Sequence, residues 1–215
     1  MYVLIDLKYS AYVYIIVVME LIKVYDNVLS PQLCADIIHK FENEANKYPG
    51  VTAGGHQPEI KNSTDFSLKL NPTTSAEWQM IDTALYTALN TTLKRYVEDI
   101  LAYNEHYSWI ETVSDTGFLF QKYDKGYGYY HFHDDFNTMI DLGRVHYRRL
   151  TYLFYLNDVV EGGETQIWSH YKVQPRAGRI LLFPASWTYP HRGCVPLSDN
   201  KYIATGWLYA ETKTR

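Results

Sequence analysis

The spacing of apolar positions changes along this chain, and the changes predict its elements. Residues 21–25 alternate briefly, as a short strand does. Ser30 then stands as a helix N-cap with Pro31 at the first helical position, and Leu33, Ile37, Ile38, Phe41 and Ala45 follow at helical spacing. A Gly/Pro/polar stretch over residues 49–58 predicts a loop. Residues 60–70 alternate loosely and predict a strand, with Lys61, Ser63 and Asp65 on what reads as an exposed polar face. A second helix begins near Ser75, with Glu77 in its first turn. Trp78, Ile81, Leu85, Leu89, Leu93, Tyr96, Val97 and Ile100 form its apolar stripe. That stripe is core, so the segment reads as a long support helix behind a sheet, with a break or bend expected at Asn90-Thr91-Thr92.

From Trp109 onward the period becomes that of strands. Strands are predicted over residues 116–123, 129–136, 148–157, 164–168, 179–183 and 201–210. The turns between them are marked by Asp124-Lys125-Gly126, Glu161-Gly162-Gly163 and Pro175-Arg176-Ala177-Gly178. Residues 179–183 are apolar throughout, as in a strand buried on both faces. Short strands with regular turn signals imply a sandwich or a double-sheet jelly roll. The fold class is therefore α+β, mainly β, with N-terminal support helices.

The 215 residues fit one domain and are enough to bury a sizeable core. No repeat, low-complexity tract or linker divides them. Residues 1–19 read as an apolar leader or N-terminal extension, with Met19 as an alternative start. The run 11–19 falls short of the roughly 20 residues that span a bilayer, and neither a basic start nor a cleavage site stands out. A formal net charge of −4 gives no reason to expect nucleic acid or a membrane as partner. Cys34 and Cys194 fit no disulfide framework, which points to a reducing, cytoplasmic compartment. The 21 tyrosines suit strands lining a cavity with rings and hydroxyls.

The candidate chemistry lies in Tyr129-Tyr130-His131-Phe132-His133-Asp134-Asp135 and, later, in His191-Arg192-Gly193 and Lys201-Tyr202. On a strand, residues i and i+2 share a face, so His133 and Asp135 project together while Asp134 points away. With His191 they make two imidazoles and a carboxylate, the facial set of non-haem Fe(II) oxygenases. No cysteine is among these three, which argues against structural zinc. His131 shares the strand face and is the rival ligand, expected further along as a group lining the cavity. Glu164, after a Gly-Gly turn, is expected to be exposed. Cys194, close to His191, reads as a small buried apolar residue. Lys201, ten residues after His191, would be costly to bury without an anionic partner.

These residues resemble the 2-oxoglutarate- and Fe(II)-dependent dioxygenase superfamily, in its prolyl 4-hydroxylase-like branch. The family's His-x-Asp…His pattern falls on His133, Asp135 and His191, and its basic residue ten after the distal His falls on Lys201. Arg149-Leu150-Thr151, Tyr155-Leu156-Asn157, Glu161-Gly162-Gly163-Glu164-Thr165 and Gly178-Arg179-Ile180-Leu181-Leu182-Phe183-Pro184 are further family-like pieces. The likeness covers the C-terminal half strongly and the helical half in outline. The segment 123–128 is one residue longer than the common spacing.

The resemblance implies a double-stranded β-helix (jelly roll) core with the metal inside its open end. Residues 20–215 then form one dioxygenase domain, 20–108 mostly helical support and 109–215 the jelly-roll core. It implies Fe(II), 2-oxoglutarate and O2, with ascorbate as an accessory. His133, Asp135 and His191 would be the metal ligands, and Lys201 would hold the far carboxylate of 2-oxoglutarate, completed by the hydroxyls of Tyr123 and Thr205. Similar enzymes place a polar strand near the substrate mouth, where Lys61, Ser63 and Asp65 lie. Arg192, beside the distal ligand, faces either the substrate mouth or solvent. The activity implied is hydroxylation of a C–H bond with release of succinate and CO2, most simply on a peptidyl proline. A free amino acid, sugar or other small metabolite is the alternative substrate, and a catalytically silent jelly-roll binding module is the alternative outside enzymes. Asp135 argues against a halogenase, because related halogenating enzymes lack that carboxylate.

Overall fold

A computed structural model describes residues 21–70, 75–101, 113–141 and 144–211. The leader at 1–19 and the predicted start of the strand-rich half at Trp109 lie outside the described residues. In chain order the elements are β1 (Lys23–Tyr25), α1 (Pro31–Glu42), β2 (Tyr48–Pro49), β3 (Thr64–Ser67), α2 (Ala76–Leu101), β4 (Val113–Asp115), β5 (Leu119–Tyr123), β6 (Tyr129–His133) and β7 (Thr138–Asp141). They continue with β8 (Arg144–Tyr155), β9 (Thr165–Ile167), β10 (Tyr171–Val173), β11 (Ile180–Pro184), β12 (His191–Gly193) and β13 (Lys201–Glu211).

The strands form a double-sheet jelly roll. The large sheet runs β1-β11-β8-β13-β5-β3-β2, with β7 paired to β8 and β4 to β13. The small sheet runs β10-β9-β12-β6. The described pairings are antiparallel. The N-terminal half contributes more than helices, since β1 lies at one end of the large sheet and β2 and β3 at the other.

Side-chain alternation explains why the large sheet is covered on both faces. Tyr152, Phe154, Ile180 and Leu182 face the helices, where they meet Ile37 and Phe41 of α1 and Trp78, Leu85 and Leu89 of α2. Leu153, Tyr155, Leu181 and Phe183 face the other way, into a second core with Ile167 and Val173 of the small sheet. The unbroken apolar run of β11 is thus a strand with no solvent face. Aromatic packing ties α2 to the sheet: the Trp78 ring lies 4.8 Å from Phe66 and 4.9 Å from Phe120.

Local chemistry sets the boundaries. Ser30 caps α1, its Oγ accepting from Leu33 N at 3.1 Å. The expected break at residues 90–92 is absent, and α2 runs through it. Thr91 and Thr92 donate their hydroxyls to the carbonyls of Thr87 and Ala88, at 2.9 and 2.8 Å, so neither competes with the helix ladder. The predicted strand 129–136 ends at His133, because Asp134 Oδ1 accepts from Phe136 N at 3.0 Å and turns the chain.

Gly178 joins the two halves just ahead of β11. Its carbonyl accepts from Val28 N at 2.8 Å, and its N–H donates to Tyr155 O at 3.0 Å. Its φ is +78°, and a Cβ there would lie 2.3 Å from Leu29 O. Gly178→Ala should therefore destabilise the chain by about 2 kcal/mol, from left-handed backbone cost plus this clash. Thermal unfolding should show a midpoint lowered by roughly 4–8 °C; an unchanged midpoint would mean that the turn relaxes freely.

Candidate metal centre

Two neighbouring strands of the small sheet bring the histidines together. His133, the last residue of β6, is the cross-strand partner of His191, the first of β12. Their ring centroids are 4.3 Å apart. Asp135 does not share a strand face with His133 by alternation. It reaches the same place from the turn after β6, and Thr151 of β8 holds it by donating Oγ1 to Oδ2 at 2.7 Å. One ligand atom from each of His133, Asp135 and His191 lies within 4.8 Å of the others. His191 Nε2 is 3.4 Å from Asp135 Oδ2.

The tautomers suit a metal. Each Nδ1 meets a backbone carbonyl, His131 O at 3.2 Å and Tyr189 O at 3.1 Å. A carbonyl only accepts, so each Nδ1 carries a proton, and Nε2 is the ring atom left to face a metal. Tyr129 stacks on His133 at 3.7 Å, and Phe183 meets His191 edge-on at 4.8 Å. Burial, followed by the facing His191, pushes the His133 pKa down to about 4. Burial opposes ionisation of Asp135, but His191, His133 and the Thr151 hydroxyl together hold its carboxyl below the usual range. The neutral His133 imidazole, the His191 imidazole and an ionised carboxylate form a donor set that fits Fe(II).

These groups line a cavity of about 510 Å³ that also contains Lys201, Tyr123, Thr205 and Trp207. Lys201 opens β13 opposite Tyr123. It is 2% exposed, and its ammonium has no ion-pair or hydrogen-bond partner among the described residues. It sits 5.6 Å from the Tyr155 ring and 5.8 Å from the Tyr123 ring. Burial lowers its pKa to about 8, against the opposing influence of Cys194 and Glu164. Tyr123 donates its hydroxyl to Gln121 Oε1 at 3.1 Å, and Thr205 donates to Tyr152 O at 2.8 Å. Both hydroxyl protons are therefore committed to protein acceptors.

Several side chains fall differently from their sequence reading. His131 is exposed, and its part in the site is played by its carbonyl. Glu164 is largely shielded and lies 3.8 Å from Lys172. Cys194 borders the cavity, half-buried, with Sγ 3.7 Å from Gln166 Oε1, outside the ligand cluster. Arg192 also borders it, donating Nε to Gln166 Oε1 at 3.0 Å and lying 4.8 Å over the Phe132 ring. The polar face of β3 and the residues before it is buried: Lys61 and Asp65 pair at 2.7 Å at 4% and 1% exposure. Thr151 lay in a family-like piece that gave it no role, and Gln121 had no motif to announce it.

Comparison with known proteins agrees with this geometry. Residues 118–209 match the family model of the 2OG-Fe(II) oxygenase superfamily. The chain is 33% identical over 115 residues to a probable prolyl 4-hydroxylase 10 of Arabidopsis thaliana, covering 41% of this chain and 38% of that protein. A probable prolyl 4-hydroxylase 3 of the same plant is 34% identical over 116 residues, with the same coverage. The match thus spans under half of either relative. Among solved structures, the fold resembles a prolyl hydroxylase of Trichoplax adhaerens in complex with a hypoxia inducible factor peptide. The TM-score is 0.66 at 16% identity, with 97% of this chain and 94% of that one covered. It also resembles a viral collagen prolyl hydroxylase from Paramecium Bursaria Chlorella virus-1, at TM-score 0.62 and 19% identity over 88% and 96% of the chains.

Proposed function

We propose that this chain, a prolyl 4-hydroxylase-like member of the 2OG-Fe(II) oxygenase superfamily over residues 118–209, hydroxylates a peptidyl proline or similar side chain and releases succinate and CO2. One observation carries the reading. A two-imidazole and carboxylate cluster shares a cavity with a buried ammonium that lacks a partner among the described residues. A dicarboxylate with one chelating end satisfies both at once.

In this reading His133, Asp135 and His191 hold the iron. Bound iron and 2-oxoglutarate supply the oxidising power that places one atom of O2 in a C–H bond of the substrate and the other in succinate. The chain's own groups do the positioning. The carbonyls of His131 and Tyr189 fix the imidazole tautomers, and Thr151 fixes Asp135. Lys201 binds the far carboxylate, in surroundings dry enough to strengthen the pairing. Exposed Phe132 and Phe136 flank the ligand-bearing turn, and their rings suit contact with a proline ring. Among the described residues no helix is long and apolar enough to cross a membrane.

Proline-containing peptides incubated with Fe(II), 2-oxoglutarate, ascorbate and air should gain one oxygen, located on proline by fragmentation mass spectrometry. Oxygen added to free amino acids or sugars, with every peptide unchanged, would move the assignment to a small-metabolite hydroxylase.

A further inference from the structure

Beside the metal ligands the cavity contains a second polar cluster that the chemistry above does not use. Asp65 Oδ2 accepts from Lys61 Nζ at 2.7 Å and from Gln121 Nε2 at 3.1 Å, while Oδ1 accepts from Ser63 Oγ at 2.7 Å. Gln121 is 7% exposed. A carboxylate in a salt bridge only accepts, so Gln121 must turn its NH2 toward Asp65 and its Oε1 away. There Oε1 meets the Tyr123 hydroxyl at 3.1 Å. A tyrosine has one proton to give, and here its direction is set two residues back along β5 by a carboxylate on β3.

We propose that Gln121, its amide oriented by Asp65, is a positioning residue that competes with the co-substrate for the Tyr123 proton, and so sets a weaker affinity for 2-oxoglutarate than the pocket could otherwise reach. The inference rests on the co-substrate reading of this cavity. Its physical basis is an exchange. For Tyr123 to donate to the incoming carboxylate, it must first leave Gln121. The neutral hydrogen bond it gives up is worth roughly a fivefold change in affinity. With Gln121 in place, Lys201 carries the carboxylate and Tyr123 adds little. Thr205 offers no substitute, since its proton goes to Tyr152 O at 2.8 Å. Without Gln121 the phenol loses that acceptor, and its proton can turn from the neighbouring Ser63 hydroxyl to the ligand.

The test is calorimetric titration of 2-oxoglutarate into the Fe(II)-loaded chain under argon, where no turnover occurs. Gln121→Leu should bind roughly fivefold more tightly, and Tyr123→Phe should stay within about twofold of the unsubstituted chain. The double variant should return to the Tyr123→Phe value. A merely structural role for Gln121 would weaken binding or leave it unchanged, and either result overturns the proposal. Tyr123→Phe, a conservative change, decides the matter if Gln121→Leu does not fold: an affinity within twofold supports the proposal, and a roughly tenfold loss overturns it, because Tyr123 would then already donate. If the unsubstituted chain binds no 2-oxoglutarate, the co-substrate reading fails and this inference falls with it.

Discussion

Replacing Lys201 with methionine should strongly weaken 2-oxoglutarate binding and make the ligand-free chain more stable. The two effects have one cause. Lys201 is 2% exposed and has no anionic partner among the described residues. Burial has lowered its pKa from 10.5 to about 8. The folded chain therefore binds that proton less tightly than the unfolded chain does. Between about pH 8 and 10.5 the unfolded chain keeps the proton and the folded chain has shed it, so stability rises with pH across that window. Below pH 8 both states are charged and the full penalty is present, on the order of 3 kcal/mol. Methionine keeps most of the stem and removes the charge. At pH 7 the unfolding midpoint should rise by about 5–10 °C. Affinity for 2-oxoglutarate should fall roughly a hundredfold or more, as when one partner of a buried charge pair is truncated. In the unsubstituted chain, binding should also weaken as pH rises through about 8, where the ammonium loses its proton. A variant that is less stable yet still binds would show that Lys201 is a structural residue.

Removing any one of His133, Asp135 or His191 should cost more than about a hundredfold in Fe(II) affinity, beyond the 10–100-fold typical of groups that merely support ligands. Turnover should drop to background. His133 ends a strand and is partly exposed, so His133→Ala should keep the fold and lose the metal. Asp135→Asn keeps the shape and the contact with Thr151 but lacks the charge, and it should bind Fe(II) far more weakly than the parent. Equilibrium dialysis under argon measures both. Parent-like metal content in His133→Ala would remove it from the ligand set.

Much of this was readable in the sequence, and the failures have physical reasons. The capped helix α1, the apolar stripe of α2 and the strands β8 and β13 are long enough for a period to register, and β11 shows as an unbroken apolar run. β12 has three residues, too few to show any period, although it carries His191. Asp135 was expected on the His133 strand face; the short polar turn led by Asp134 delivers it instead, and Thr151 secures it from another sheet. The polar face at Lys61, Ser63 and Asp65 read as exposed because alternation reports two faces without saying what covers each. Here one face looks into the cavity, and the charges satisfy one another. The hydroxyls of Tyr123 and Thr205 were named as pocket groups, but sequence spacing says nothing about where a proton points. Gln121 and the Tyr152 carbonyl decide that, and both are contacts that a single sequence does not display.

If this cavity couples O2 to the oxidation of 2-oxoglutarate at iron, turnover should convert 2-oxoglutarate to succinate. Succinate release tests it most directly, measured on anaerobically purified chain given Fe(II), ascorbate, 2-oxoglutarate and a panel of proline-containing peptides, then exposed to air, with His133→Ala in parallel. Succinate should require both air and iron, form with the parent, and be absent with the variant. Equal succinate from parent and variant, or none from a parent that also fails to bind Fe(II) and 2-oxoglutarate, would contradict it.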